Sequence, residues 1–111
     1  MELWTTTVGL PQDVAQAAAK AEADGWTGIA VPYAPTMAPD LFVCMAAAAA
    51  ATTTLQVGSW VATPASHTPA SAAGGIKTVQ AASGGRAHFA IGRGDSALAY
   101  LGMAPAPLPF F

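Results

Sequence analysis

Charge is what this chain has least of. Four Lys and Arg against six Asp and Glu in 111 residues, a formal net charge of −2, leave no basic stripe to follow a phosphate backbone, which excludes electrostatic nucleic-acid binding. A single cysteine, Cys44, permits no intrachain disulfide. Its place among alanines and methionine reads as an inert buried thiol and points to a reducing, cytoplasmic setting. The N-terminus lacks the early Lys or Arg of a secretory signal. The longest apolar run, Leu41 to Ala51, has 11 residues against the roughly 20 that cross a bilayer, so no membrane span is expected. There is no GxSxG elbow, no Walker lysine and no His/Cys/carboxylate cluster at ligand spacing. Acyl transfer, P-loop nucleotide chemistry and a metal site therefore have no candidates.

Alanine is abundant, with 28 residues, accompanied by 11 glycines and 9 prolines. That composition approaches low complexity, but the larger apolar residues arrive in clusters separated by turn residues. The length suits one packed domain.

Two kinds of segment alternate along it. Leu3 to Leu10, rich in β-branched and aromatic residues, reads as a strand stopped by Pro11. Pro11 to Asp24 carries Val14, Ala17, Ala18 and Ala21 at helical spacing, with Gly25 placed to end the helix. Gly28 to Tyr33 is continuously apolar, as in a strand buried on both faces. Asp40 is placed to cap a helix over Leu41–Ala51. Leu55 to Ala62 reads as a third strand, in which Gly58 signals a bulge or a close backbone approach. Thr68–Pro69 opens a helix to Ala82 that Gly74 and Gly75 weaken. Arg86 to Ile91 reads as a fourth strand, Gly92-Arg93-Gly94 as a tight turn, and Asp95 as the cap of a short helix over Ser96–Leu101. Met103 to Phe111 has three prolines and no periodicity.

Strands alternating with helices predict an α/β fold with parallel strands and right-handed crossovers. Four β-α units fit a small doubly wound domain. They fit equally the first half of a TIM (β/α)8 barrel, which takes about 250 residues. In both, ligands bind beyond the carboxyl ends of the strands, which selects the loops Tyr33–Pro39, Thr63–His67 and Gly92–Ser96. Asp95 is either an ionisable group at that mouth or a helix cap, and Arg93 either a ligand contact or an ion-paired surface residue. His67 is either a proton carrier or an exposed polar residue, whereas His88, inside a strand, reads as packed or hydrogen-bonded. Trp60 either stacks on an aromatic cofactor or fills the interior.

The run Gly92-Arg93-Gly94-Asp95-Ser96-Ala97-Leu98-Ala99-Tyr100-Leu101-Gly102, with Ala23-Asp24-Gly25-Trp26, Ser83-Gly84-Gly85-Arg86 and Met103-Ala104-Pro105-Ala106-Pro107, resembles the luciferase-like monooxygenase superfamily. The branch it looks most like is the deazaflavin-dependent, methylene-tetrahydromethanopterin-reductase-like oxidoreductases. The resemblance runs from Met1 to about Leu108. It implies a half-barrel, with 1–108 as the N-terminal half of a luciferase-like domain and 109–111 as a tail. It also implies an oxidoreductase using reduced flavin (FMN) or the deazaflavin coenzyme F-420, without a metal, on a small-molecule substrate. By the same resemblance Asp95 is the catalytic acidic residue near cofactor or substrate. Trp60–Val61 is the place of a non-prolyl cis peptide behind the cofactor ring, and Thr63 and Gly92 join Trp60, Val61 and Asp95 in cofactor binding. The chain departs from the family pattern at Tyr33–Ala34 and at His67–Thr68. The alternative is a non-catalytic half-barrel or self-associating module, a homodimer using the apolar helix Leu41–Ala51 as its contact face.

Overall fold

The computed structural model describes residues 1–110; Phe111, the last residue of the expected tail, lies outside them. Strands β1 (Trp4–Thr6), β2 (Gly28–Pro32), β3 (Gln56–Trp60) and β4 (Ala87–His88) alternate with helices α1 (Pro11–Ala23), α2 (Leu41–Ala50) and α3 (Pro69–Ala82). A short helix α4 (Asp95–Ala99) and a 3-10 turn (Leu108–Phe110) follow. The four strands form one parallel sheet in the order β1-β2-β3-β4, as the alternation predicts. No helix among the described residues is long and apolar enough to cross a membrane.

Local signals set most boundaries. The Asp40 carboxylate accepts the Val43 N–H at 2.9 Å, and the Thr68 hydroxyl accepts the Ser71 N–H at 3.2 Å; each satisfies an orphan donor of a helix's first turn. Helix α1 ends where Gly25 takes φ +85° and Trp26 N–H reaches back to the Ala21 carbonyl, the left-handed exit that glycine permits.

Strands β1 and β4 are shorter than the sequence predicts. Strand β1 ends at Thr6, and the Leu10 N–H donates to the Asp13 carboxylate at 3.0 Å in the capping box that opens α1. In β4 the ladder stops at Gly58↔His88 because a side chain stands in for it. The Ser59 hydroxyl donates to the Ala90 carbonyl and accepts the Ala90 N–H, both at 2.8 Å. Backbone pairing resumes as a single bridge between Ala62 and Ile91. Gly58 carries no bulge, since Ala30↔Gly58 pairing continues in register. It is a place of close approach, where an added Cβ would meet the Trp4 ring at 3.2 Å.

Alternation along the strands separates two faces. Ile29, Val31 and Val57 pack against Val14, Ala18, Leu41, Cys44, Met45 and Ala48 from the helices, all buried. The opposite face carries small residues and rings. The Trp4 ring lies over Gly28, where a Cβ would come within 2.6 Å of it, and packs edge-on against His88 at 5.2 Å. Helix α2 gives one side to this core, where Leu41, Cys44, Met45, Ala48 and Ala49 are buried, and leaves Val43 exposed on the other.

Two polar clamps hold the amino ends of the strands. The Glu22 carboxylate, at the end of α1, accepts the N–H groups of Thr53, Thr54 and Leu55 at 2.8–3.2 Å. The Thr54 N–H chiefly, then that of Leu55, holds its pKa at about 2, against an ordinary 4.5. Because the folded pKa is depressed, this tie is fully present above the unfolded value and is lost as pH falls toward 2. Stability is therefore expected to drop between about pH 4.5 and 2. In Glu22→Gln that part of the drop should disappear, as urea titrations across this range would read. The second clamp is Arg86. Its Nε donates to the Ser83 carbonyl, Nη1 to Thr52 Oγ1 and the Leu55 carbonyl, and Nη2 to the Ala49 and Thr52 carbonyls, all within 2.7–3.1 Å.

Candidate functional site

At the opposite, carboxyl end of the sheet, the ends of β2, β3 and β4 surround an open cavity of about 300 Å³. Its wall includes Trp60, Val61, Thr63, Gly92 and Asp95, together with Tyr33 and Arg93. All five candidate residues thus come to one place, although they belong to two loops some thirty residues apart. Parallel topology causes this, since it puts every strand's carboxyl end on the same side.

Each wall residue has a local reason for its position. The Trp60–Val61 peptide is cis. The Trp60 side chain is 65% exposed and presents its indole both to this cavity and to a neighbouring one over Trp4, Thr6 and Ala30. Val61 presses on Gly92, where a Cβ would lie 2.6 Å from Val61 Cγ2; only glycine fits there. Thr63 is buried, and its hydroxyl donates to the Arg93 carbonyl at 3.3 Å, so its proton is held by the protein. Gly94 takes φ +85° directly against Thr63 Oγ1.

Asp95 is not the helix cap. Gly94 occupies the capping position with no side-chain bond, and Asp95 is the first residue of α4, which spans Asp95–Ala99 rather than Ser96–Leu101. A carboxylate in the first turn of a helix is favoured by the exposed N–H groups there. Its partner is Arg93, whose Nη2 lies 3.9 Å from Asp95 Oδ1, with the Asp95 side chain 71% exposed. At that length and exposure the pair contributes at most about 1 kcal/mol, leaving the carboxylate available to a ligand. The Arg93 guanidinium is anchored by Nε donating to the Ala106 carbonyl at 2.9 Å, and Ala106 N–H returns a bond to the Arg93 carbonyl. The proline-rich tail is thereby folded back to the site, a contact no local pattern announces.

The histidines fall on either side of this region. His67 is not an exposed polar residue: its ring lies between Tyr33 at 5.1 Å and Phe42 at 5.2 Å, backing the tyrosine that lines the cavity. Tyr33 opens the first of the three loops that the strand ends select, and it lines the cavity with the others. His88 bonds Gln56 Oε1 at 2.8 Å and packs on Trp4, as a strand histidine is expected to. Cys44 is buried, and burial, with the Asp40 carboxylate adding to it, raises the thiol's pKa, so it stays protonated. Among the described residues no cluster of three metal-ligating side chains occurs.

The family model for luciferase-like monooxygenases matches residues 3–108. The coenzyme F420 dependent tetrahydromethanopterin reductase of Methanopyrus kandleri superimposes with a TM-score of 0.82 at 23% identity, over 98% of this chain and 30% of that one. The FMN complex of a type II Baeyer-Villiger monooxygenase, the oxygenating constituent of 3,6-diketocamphane monooxygenase from Pseudomonas putida, gives 0.78 at 20% identity, over 96% and 34%. A monooxygenase of Streptomyces bottropensis gives 0.72 at 22% identity, over 84% and 33%. No curated protein matches. The chain spans about a third of the length of these structures, and its open four-stranded sheet is a partial barrel of their fold.

Proposed function

The chain belongs to the luciferase-like monooxygenase family, and from that membership we propose that it is a flavin- or deazaflavin-dependent oxidoreductase, with its cavity at the carboxyl ends of β2–β4 as the cofactor and substrate site. Residues 1–108 form the N-terminal half of the luciferase-like domain on this reading, with 109–111 as a tail. One observation carries it: Trp60, Val61, Thr63, Gly92 and Asp95 line the same cavity. The volume, about 300 Å³, sits at the lower end of ligand sites.

The residues fit a flat heteroaromatic ring. The exposed indole of Trp60 offers an apolar face, and offset stacking on it is worth about 1 kcal/mol. Gly92 removes the side chain that would fill the space beside Val61. A bound flavin or deazaflavin would supply hydride transfer, or in the flavin case the activation of oxygen. Asp95 would hold or move the proton at its carboxylate oxygens beside the substrate, with the Arg93 guanidinium 3.9 Å away. The small-molecule substrate enters from the open mouth.

Titrating the chain with reduced FMN and with F-420 tests this, with tryptophan fluorescence as the readout. Saturable quenching with one of them is expected; no quenching with either would remove the reading. Asp95→Asn should lower turnover by roughly a hundredfold, the usual worth of a positioned acid or base.

A further inference from the structure

Tyr33 lines the cavity, yet the reading above gives its hydroxyl no task. The residue follows β2, and β2 and β3 are the inner strands of the sheet, each paired on both sides. Its backbone is held from two directions. Pro32 precedes it and Pro35 comes two residues later, each locking its own φ, and the Ala34 carbonyl accepts the Met37 and Ala38 N–H groups at 3.1 and 3.0 Å.

The ring is held as well. It packs on the His67 ring at 5.1 Å, and His67 packs edge-on against Phe42 at 5.2 Å. Phe42 in turn sits in a notch of α3, where a Cβ on Gly75 would come within 2.6 Å of it. Tyr33–Ala34 and His67–Thr68 are the two places where the chain departs from the family pattern, and the fold puts these two departures in contact.

The phenol hydroxyl has no hydrogen-bond partner among the described residues. Thr63 and Arg93, by contrast, are committed. The Thr63 hydroxyl donates to the Arg93 carbonyl, Arg93 Nε donates to the Ala106 carbonyl, and Nη2 faces Asp95. A neutral donor beside the apolar surfaces of Trp60 and Val61 matches a neutral acceptor, a carbonyl oxygen, which needs no counter-charge. An anion would find the guanidinium of this wall already facing a carboxylate.

We propose that Tyr33 is a specificity-determining residue of this site, donating its phenol O–H to a carbonyl oxygen of the bound ligand, and that His67 is the positioning residue that holds the phenol there. The inference rests on the reading of the cavity as a cofactor and substrate site and adds the class of acceptor it takes. Flavin and deazaflavin rings carry carbonyls, and so does a ketone substrate; two probes separate these sources.

Lumiflavin, the flavin ring without its phosphate chain, and cyclohexanone, a carbonyl compound without the ring, are titrated separately into the chain and its variants. The indole N–H signal of Trp60 in heteronuclear NMR spectra is the readout. Tyr33→Phe removes one oxygen and keeps the ring, and it should weaken at least one probe by about three- to tenfold. Loss with lumiflavin puts the accepting oxygen on the cofactor ring; loss with cyclohexanone alone puts it on the substrate. His67→Ala should weaken the same probe by a similar factor and add less than about twofold on top of Tyr33→Phe. His67→Phe, which keeps a ring behind the tyrosine, should restore binding. Equal affinities of the parent and Tyr33→Phe for both probes overturn the assignment of Tyr33, as does a parent chain that binds neither. Losses that add in the double variant overturn that of His67. The cofactor reading fails by itself when neither FMN nor F-420 binds while cyclohexanone still does so through Tyr33.

Discussion

Replacing Arg86 with alanine is expected to lower unfolding free energy by about 3–4 kcal/mol, since hydrogen bonds to a charged group contribute roughly 1.5–3 kcal/mol each and are not additive. All five N–H donors of this guanidinium are used, and they reach the carbonyls of Ala49, Thr52, Leu55 and Ser83 and the Thr52 hydroxyl. The residue thereby fastens the end of α2 to the starts of β3 and β4. Cations are also favoured at the carbonyl end of a helix. At about 4–8 °C per kcal/mol for a domain of this size, the melting temperature should fall by roughly 12–30 °C. Arg86→Lys should recover less than half of the loss, because an ammonium with three donors cannot span the five acceptors. A lysine variant as stable as the parent would show that charge, not the fork, matters.

Gly94→Ala should come next, at about 2–4 kcal/mol. A left-handed backbone costs a non-glycine residue roughly 1–2 kcal/mol, and Gly94 sits at φ +85°. Its added Cβ would also lie 2.7 Å from Thr63 Oγ1 and 2.9 Å from Leu98 Cδ1, and overpacking adds about 1–3 kcal/mol. Leu98 is fully buried and cannot swing away. Chemical denaturation measures the loss. Gly102→Ala is the control for backbone strain alone, since Gly102 is left-handed at φ +66° with nothing within 4 Å of its Cβ position; it should cost less than half as much. Equal costs would mean that the contact with Thr63 and Leu98 carries nothing.

The order of elements was legible because its signals are local. Asp40, Thr68 and Gly25 each act within one helical turn, so their residue types suffice to place helix ends. Strand lengths were less legible. The Ser59 hydroxyl that replaces the ladder at Ala90 looks like any strand serine until β4 is beside it. The clamps of Glu22 and Arg86 were invisible for the same reason, since apart from the Arg86–Ser83 bond they span 31 residues or more. At the cavity, Trp60, Val61, Thr63, Gly92 and Asp95 were selected by resemblance to a family, and parallel topology alone brings them together. Asp95 was misplaced by one position because a cap and a first-turn acid share the same residue types; the left-handed Gly94 decides between them. His67 was misjudged because its ring partners, Tyr33 and Phe42, come from other elements.

Helix α3 has a consequence for how long anything stays in the cavity. Of its 14 residues only Ala72 and Val79 are buried, and its two interior glycines weaken it by about 1 kcal/mol each relative to alanine. Among the three long helices it is the cheapest to open locally. Its first turn is tied to Thr68, one residue beyond His67, and His67 backs Tyr33 on the cavity wall. Each transient fraying of α3 therefore loosens that wall from behind. On the proposed function, a variant that stiffens α3, such as Gly74→Ala, where a Cβ meets nothing within 4 Å, is expected to lengthen the residence time of a bound ligand.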